Sequence, residues 1–193
     1  NNNSAIWDAP EEPGFYNINC TASDPSGASN TAMITLKVCS LQTTNMSQIN
    51  IDEWNFEGSA FWNETENTLE LTPAETGMVG SAFNTIDTIS GYQAEIEFEF
   101  FIGQGTGADG LTFTALDVDR MTTFLGDAGG GIGYGGLPGW TIEIDTYYNG
   151  GSDPTAEDHL AFTFDGNATG YVLWAALPEM EDTGWHTIKI QVN

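Results

Sequence analysis

Positive charge is nearly missing from this sequence: three Lys and Arg stand against 28 Asp and Glu, a formal net charge of −25 over 193 residues. A surface of that sign repels phosphate backbones and anionic bilayers, which excludes electrostatic binding to nucleic acid or to a membrane surface and leaves neutral molecules and cations as partners. No apolar run approaches the ~20 residues that span a bilayer, and the opening Asn1-Asn2-Asn3-Ser4 lacks the basic and apolar regions of a signal peptide. The expectation is a soluble, already processed chain without membrane insertion. Cysteine is scarce as well. Cys20 and Cys39 are the only two, which fits one disulfide or two thiols with partners elsewhere. Five Asn-x-Ser/Thr acceptors, at Asn2, Asn19, Asn45, Asn63 and Asn167, permit glycosylation along a secretory route. With the near absence of lysine, which suits a salty exterior, they point to an extracellular or cell-surface location.

A sustained helical period is also absent, whereas alternation with period two runs through most of the chain, so the reading is all-β. In Ala94-Glu95-Ile96-Glu97-Phe98-Glu99-Phe100 the apolar residues face one way and three glutamates the other, one side core and one side wet. Ile34, Leu36 and Val38 repeat the pattern, as do Ile188, Ile190 and Val192. Turn signals such as Asp24-Pro25-Ser26-Gly27 and Asp165-Gly166-Asn167 separate the runs. A hydrophobic fraction of 40% with 12% aromatics supports a real core despite the charge, and a β-sandwich is the economical architecture.

The regular strands give way to a polar stretch between Cys39 and Gln48, so two domains are expected, 1–40 and 41–193. Before the boundary only about three strands fit, too few to bury two sheet faces. If the hairpin turns near Ser26, Cys20 lies opposite residues near Met33 rather than Cys39. The strand Gly14-Phe15-Tyr16-Asn17-Ile18-Asn19-Cys20 resembles the end of an immunoglobulin-like surface repeat of the polycystic-kidney-disease type, which implies a chain cut from something longer and a partner for Cys20 on an earlier strand.

Chemistry concentrates in Trp140-Thr-Ile-Glu143-Ile-Asp145-Thr-Tyr147-Tyr148-Asn149-Gly-Gly-Ser-Asp153-Pro154, followed by His159. On a strand Glu143 and Asp145 share one face about 6–7 Å apart. The Gly150-Gly151 pair lets the chain fold back and bring Asn149 and Asp153 toward them. Hard oxygen ligands of this kind suit Ca²⁺. An imidazole from His159 adds nitrogen and favours a transition metal beside it.

This segment resembles the metal-binding loop of the legume-type (L-type) lectins, whose pattern of Glu-x-Asp-x-aromatic-x-Asn, then Asp-Pro, then His is filled at every position. Ala108-Asp109-Gly110-Leu111-Thr112-Phe113 resembles that family's Ala-Asp-Gly-Leu-x-Phe strand start. Gly129-Gly130-Gly131-Ile132-Gly133-Tyr134 resembles its Gly-Gly-x-Leu-Gly-Leu loop, and the stretch from Phe56 to Thr72 resembles its first core strands. The resemblance covers residues 49–193. It implies a concanavalin A-like jelly-roll β-sandwich, with Ca²⁺ held by the side chains of Asp145, Asn149 and Asp153 and the main-chain carbonyl of Tyr147. It implies a second, transition-metal site (Mn²⁺) built from Glu143, Asp145, Asp153 and His159. A sugar would then be gripped by Asp109, the backbone N–H of Gly130 and the Asn149 amide, with Tyr147 against its apolar face and a cis Ala108–Asp109 peptide. Glycans or glycoproteins are the implied ligands, with other copies or domains of a parent surface assembly, an adhesin or filament, as further partners.

Departures from the pattern are the aromatic-free Gly150-Gly151-Ser152 loop and an ending at the strand Trp185–Asn193. In that superfamily more strands follow, so a domain truncated at its C-terminus, without the family's specificity loop, is expected. An enzyme of the same fold is the rival, because Glu143-Ile144-Asp145 resembles the Glu-x-Asp-x-x-Glu signature of laminarinase-like glycoside hydrolases. A retaining hydrolase needs a second carboxylate ~5–5.5 Å away. Tyr148 stands where it should be, so no enzyme is expected. A metal-stabilised structural module with no sugar site is the third reading. Tyr134, Trp140 and Tyr148 read equally as core or as platform.

Overall fold

Alternating sequences become strands in the computed structural model, which describes residues 14–23, 25–38, 50–87, 89, 93–103 and 107–192. The chain divides into two compact units, Asn1–Thr44 and Asn45–Asn193. In the first, β1 (Gly14–Ser23) and β2 (Ser29–Val38) form an antiparallel hairpin. Its tight turn places Gly27 at φ +90°, a conformation glycine adopts without a Cβ clash. Cys20 faces Ala32 across the ladder, one position from the expected Met33, and Cys39 lies outside the described residues. The expected inward face of β2 differs from what is seen: Ile34 is 59% exposed. Alternation selects a face, but the two strands among the described residues of this unit provide no second layer to cover it; the third expected strand, near residues 6–10, lies outside the described residues.

The second unit carries β3 (Trp54–Gly58), β4 (Phe61–Asn63), β5 (Thr68–Glu70), β6 (Gly80–Asn84), β7 (Ala94–Phe101), β8 (Gly110–Leu116), β9 (Gly139–Asp145), β10 (His159–Phe164), β11 (Leu173–Ala176) and β12 (Trp185–Val192). Among the described residues, β11-β10-β9-β8 form a four-stranded antiparallel sheet, and β12-β7, β3-β6 and β4-β5 pair in twos. Strands β7 and β12 behave as their patterns predict. Glu95, Glu97 and Glu99 point to water while Phe98 and Phe100 turn inward, and His186, Ile188, Ile190 and Val192 form the sheltered face of β12.

The core lies between this pair and one face of the four-stranded sheet. Phe100, Ile144 and Met180 are its buried centre, with Phe98, Ile102, Leu111, Leu177 and Ile188 packed around them. An aromatic row continues it along the sheet: Phe98 stacks on Phe113 at 5.9 Å, Phe113 meets Trp140 at 5.7 Å, and Trp140 meets Phe162 at 6.2 Å. Such contacts add to the burial of apolar area. His186 is structural here. Its ring lies 5.4 Å from that of Phe100 and its Nε2 meets Met180 O at 3.1 Å and the Asp182 carboxylate at 3.0 Å.

The other face of the same sheet is polar and buried. Because side chains alternate, Ile142 and Ile144 face the core while Thr141, Glu143 and Asp145 face the opposite way. No helix among the described residues is long and apolar enough to cross a membrane.

Candidate metal centre and ligand site

Register assembles the metal-type cluster. Asp145 pairs with His159 on one side and Gly110 on the other, and Glu143 pairs with Ala161 and Thr112. Gly110 lets β8 approach β9 closely beside Asp145, since any Cβ there would meet Ile144 O at 2.2 Å. Glu143, Asp145 and His159 each offer a ligand atom within 4.8 Å of the others. All three are buried, Glu143 1% and His159 2% exposed. Asp153 is not in that group of three. Its carboxylate accepts the Asn149 N–H, within range to raise both Glu143 and Asp145.

These residues fit a cation on their own chemistry. Glu143 Oε1 and His159 Nε2 are buried without a hydrogen-bond partner and stand 3.9 Å apart. His159 Nδ1 lies 3.2 Å from Glu157 O, a carbonyl that can only accept, so in the neutral ring Nδ1 carries the proton and Nε2 is left as the metal-binding nitrogen. Two buried polar atoms without partners are costly together, and one positive ion between them would satisfy both. Burial pushes the Glu143 carboxyl up to about 7, the Tyr134 hydrogen bond opposing and the charges of Asp145 and Asp153 adding. Burial likewise lifts Asp145 to about 6, opposed first by the Tyr147 N–H, which donates to its Oδ1 at 2.9 Å.

Beside this cluster the sugar-type residues converge. The Ala108–Asp109 peptide is cis, as the resemblance implies. Thr146, the residue after β9, holds that loop twice: its N–H donates to Asp109 O at 3.0 Å and its hydroxyl to Gly107 O at 3.1 Å. Asn149 Nδ2 donates to Asp109 Oδ1 at 3.2 Å. Gly130 sits against the same amide, since a Cβ on it would lie 3.1 Å from Asn149 Oδ1. Gly150, at φ +82°, makes the reversal expected of it, and Asp153 N donates back to its carbonyl at 3.2 Å. Tyr147 and Tyr148 are 49% and 53% exposed, so both rings are open to a ligand.

The glycine-rich segment is an ordered loop. Gly126 N bonds Gly133 O at 2.8 Å, Gly133 N bonds Asp127 O at 2.9 Å, and a short 3-10 turn spans Gly129–Gly131. It lays Tyr134, fully buried, over the polar face, with its hydroxyl donating to Glu143 Oε2 at 2.5 Å. Burial raises the Tyr134 hydroxyl above the ordinary tyrosine range, so it stays a donor. The sequence alone leaves Tyr134 between core and platform and does not single out Thr146. Thr146 has no motif of its own, and the role of Tyr134 depends on how the glycine loop folds back.

No family model matches the sequence. Among solved structures the chain is similar to the basic winged bean lectin with Tn-antigen, at TM-score 0.58 and 18% identity over 91% of this chain and 70% of that one. It is similar to the lectin from Bauhinia forficata in complex with GalNAc, at TM-score 0.57 and 16% identity over 74% of this chain and 68% of that one. It is also similar to the VIP36 exoplasmic/lumenal domain in its Ca²⁺-bound form, at TM-score 0.54 and 18% identity over 72% of this chain and 60% of that one. Identity this low speaks to architecture alone, and the architecture is the all-β jelly-roll sandwich of the L-type lectins.

Proposed function

We propose that the Asn45–Asn193 unit is a metal-dependent carbohydrate-binding module, without catalysis, of a larger extracellular or cell-surface adhesin or filament protein. The observation that carries this reading is the convergence of Asp109, Gly130 and Asn149 on one spot, joined through Asn149 to Asp153 and next to the buried Glu143, Asp145 and His159 cluster. Carboxylate and amide groups there accept from and donate to vicinal hydroxyls. A glycine lets the ligand reach backbone, and the exposed Tyr147 offers an apolar platform. Two structural neighbours are seen with Tn-antigen and with GalNAc, which favours a carbohydrate ligand here.

Ca²⁺ is assigned to Asp145, Asn149, Asp153 and the Tyr147 carbonyl, and a transition ion such as Mn²⁺ to Glu143, Asp145, Asp153 and His159. When bound, such ions supply positive charge that holds the carboxylates and the Asn149 loop in place. The chain's own residues do the recognition: Asp109 accepts from sugar hydroxyls, Asn149 donates, and Thr146 fixes the Asp109 loop. Position 148, where a retaining hydrolase of this fold would carry its acid/base, is Tyr, which has no carboxylate to give.

The test is a glycan array probed with the full chain in Ca²⁺ and then in EDTA. Ca²⁺-dependent binding abolished by Asp109→Ala is the expected result. Glycan binding that persists unchanged in EDTA would sink the metal-dependent reading, and no binding while Ca²⁺ still raises the melting temperature would leave a metal-stabilised structural module.

A further inference from the structure

We propose that Tyr134 is a positioning residue of the metal centre: its hydroxyl occupies Oε2 of Glu143, so that the carboxylate presents Oε1 alone toward His159. The proposal rests on the metal-dependent reading above and deepens it. Three observations carry it. Tyr134 and Glu143 are both essentially inaccessible to water, and their 2.5 Å hydrogen bond is the one partner found for either Glu143 oxygen among the described residues. The remaining oxygen, Oε1, has no hydrogen-bond partner and lies 3.9 Å from His159 Nε2, which has none either. The donor is restrained by its surroundings: the Tyr134 side chain is fully buried, and its backbone is anchored through Tyr134 N to Gly131 O at 2.9 Å and Leu137 N to Tyr134 O at 2.8 Å.

A carboxylate with one oxygen held by a phenol has one lone pair of that oxygen taken and its plane fixed, which favours binding an ion through the other oxygen. That geometry disfavours Ca²⁺ at Glu143, since Ca²⁺ often takes carboxylates in two-oxygen fashion. It favours a smaller ion held by single carboxylate oxygens and an imidazole nitrogen. The phenol also ties the glycine-rich loop, and with it Gly130, to the same carboxylate that faces the metal position.

Calorimetric titration of the full chain with Mn²⁺ alone and with Ca²⁺ alone, in wild type and Tyr134→Phe, tests this. The variant is expected to bind Mn²⁺ about 10–100-fold more weakly, the usual penalty for losing an outer partner of a ligand, with Ca²⁺ affinity changed by less than about threefold. Co²⁺ should report the same change as shifted visible bands, because the ligand oxygen is no longer fixed. A purely structural role predicts a lower melting temperature in EDTA with unchanged Mn²⁺ affinity and an unchanged Co²⁺ spectrum, and that result overturns the proposal while leaving the metal-dependent reading intact. Wild type that binds Ca²⁺ but neither Mn²⁺ nor Co²⁺ overturns the proposal alone, and wild type that binds none of the three overturns both. Should Tyr134→Phe fail to fold, wild type labelled with 3-fluorotyrosine decides. The fluorine signal best protected from a soluble paramagnetic agent must move on adding Zn²⁺, and a signal that stays put overturns the proposal.

Discussion

Glu143 shows how one buried carboxylate ties stability to pH and to metal. In protein stripped of metal, a carboxyl whose folded pKa stands above its unfolded value favours the fold only while protonated. Glu143 rises from 4.5 to about 7 and Asp145 from 3.8 to about 6, burial being the main cause in each. Their contribution is therefore fully present below the unfolded values and is lost as pH climbs through the folded ones. The melting temperature in EDTA should fall between about pH 5 and about pH 7.5, and Glu143→Gln should flatten that fall, whereas saturating Mn²⁺ should remove most of it in wild type. A slope identical in wild type and Glu143→Gln would refute this account. Gly130 tests the ligand side at the same scale. A methyl group there meets the Asn149 amide at 3.1 Å, so Gly130→Ala should weaken glycan binding about tenfold or more, roughly 1.4 kcal/mol. Thermal stability should barely change, because Gly130 is exposed.

At the scale of the element, β9 does two jobs because its side chains alternate. Ile144 faces the core with Phe100 and Met180, while its neighbours Glu143 and Asp145 face the cluster with His159. Ile144→Ala should destabilise the unit by about 2–5 kcal/mol, the usual range for such a core truncation. Denaturant unfolding in saturating Mn²⁺ would read it, and a loss below about 1 kcal/mol would show that the core does not depend on this strand. The strand pattern was plain in the sequence: β7 and β12 turn the expected residues inward, and the Glu143 and Asp145 pair shares a face as the period-two rule requires. Alternation misled only at β2, where Ile34 is exposed. Periodicity says which residues share a face; whether anything covers that face is decided by other strands.

Across the whole molecule, charge dominates. With a net charge of −25, self-repulsion opposes the compact state, and Arg120 and Lys189 are each already engaged with two carboxylates: Arg120 with Asp117 and Asp165, Lys189 with Glu95 and Glu97. Screening salt and bound divalent ions should both raise the melting temperature. Scanning calorimetry over a NaCl series, with and without Ca²⁺, checks this, and indifference to both would count against it.

By itself the sequence determined the all-β class, the strand faces and the ordered acidic loop, because each depends on residues close together in the chain: alternation, Gly-Gly reversals, and Glu143, Asp145, Asn149 and Asp153 within a dozen positions. Tertiary structure alone decided which distant groups meet. Register across β8, β9 and β10 set Gly110, Asp145 and His159 side by side. The fold of the glycine loop brought Gly130 onto Asn149 and the Tyr134 hydroxyl onto Glu143. A phenol reads as core or as donor only once burial has removed water from its partner, and that removal is a property of the packed molecule.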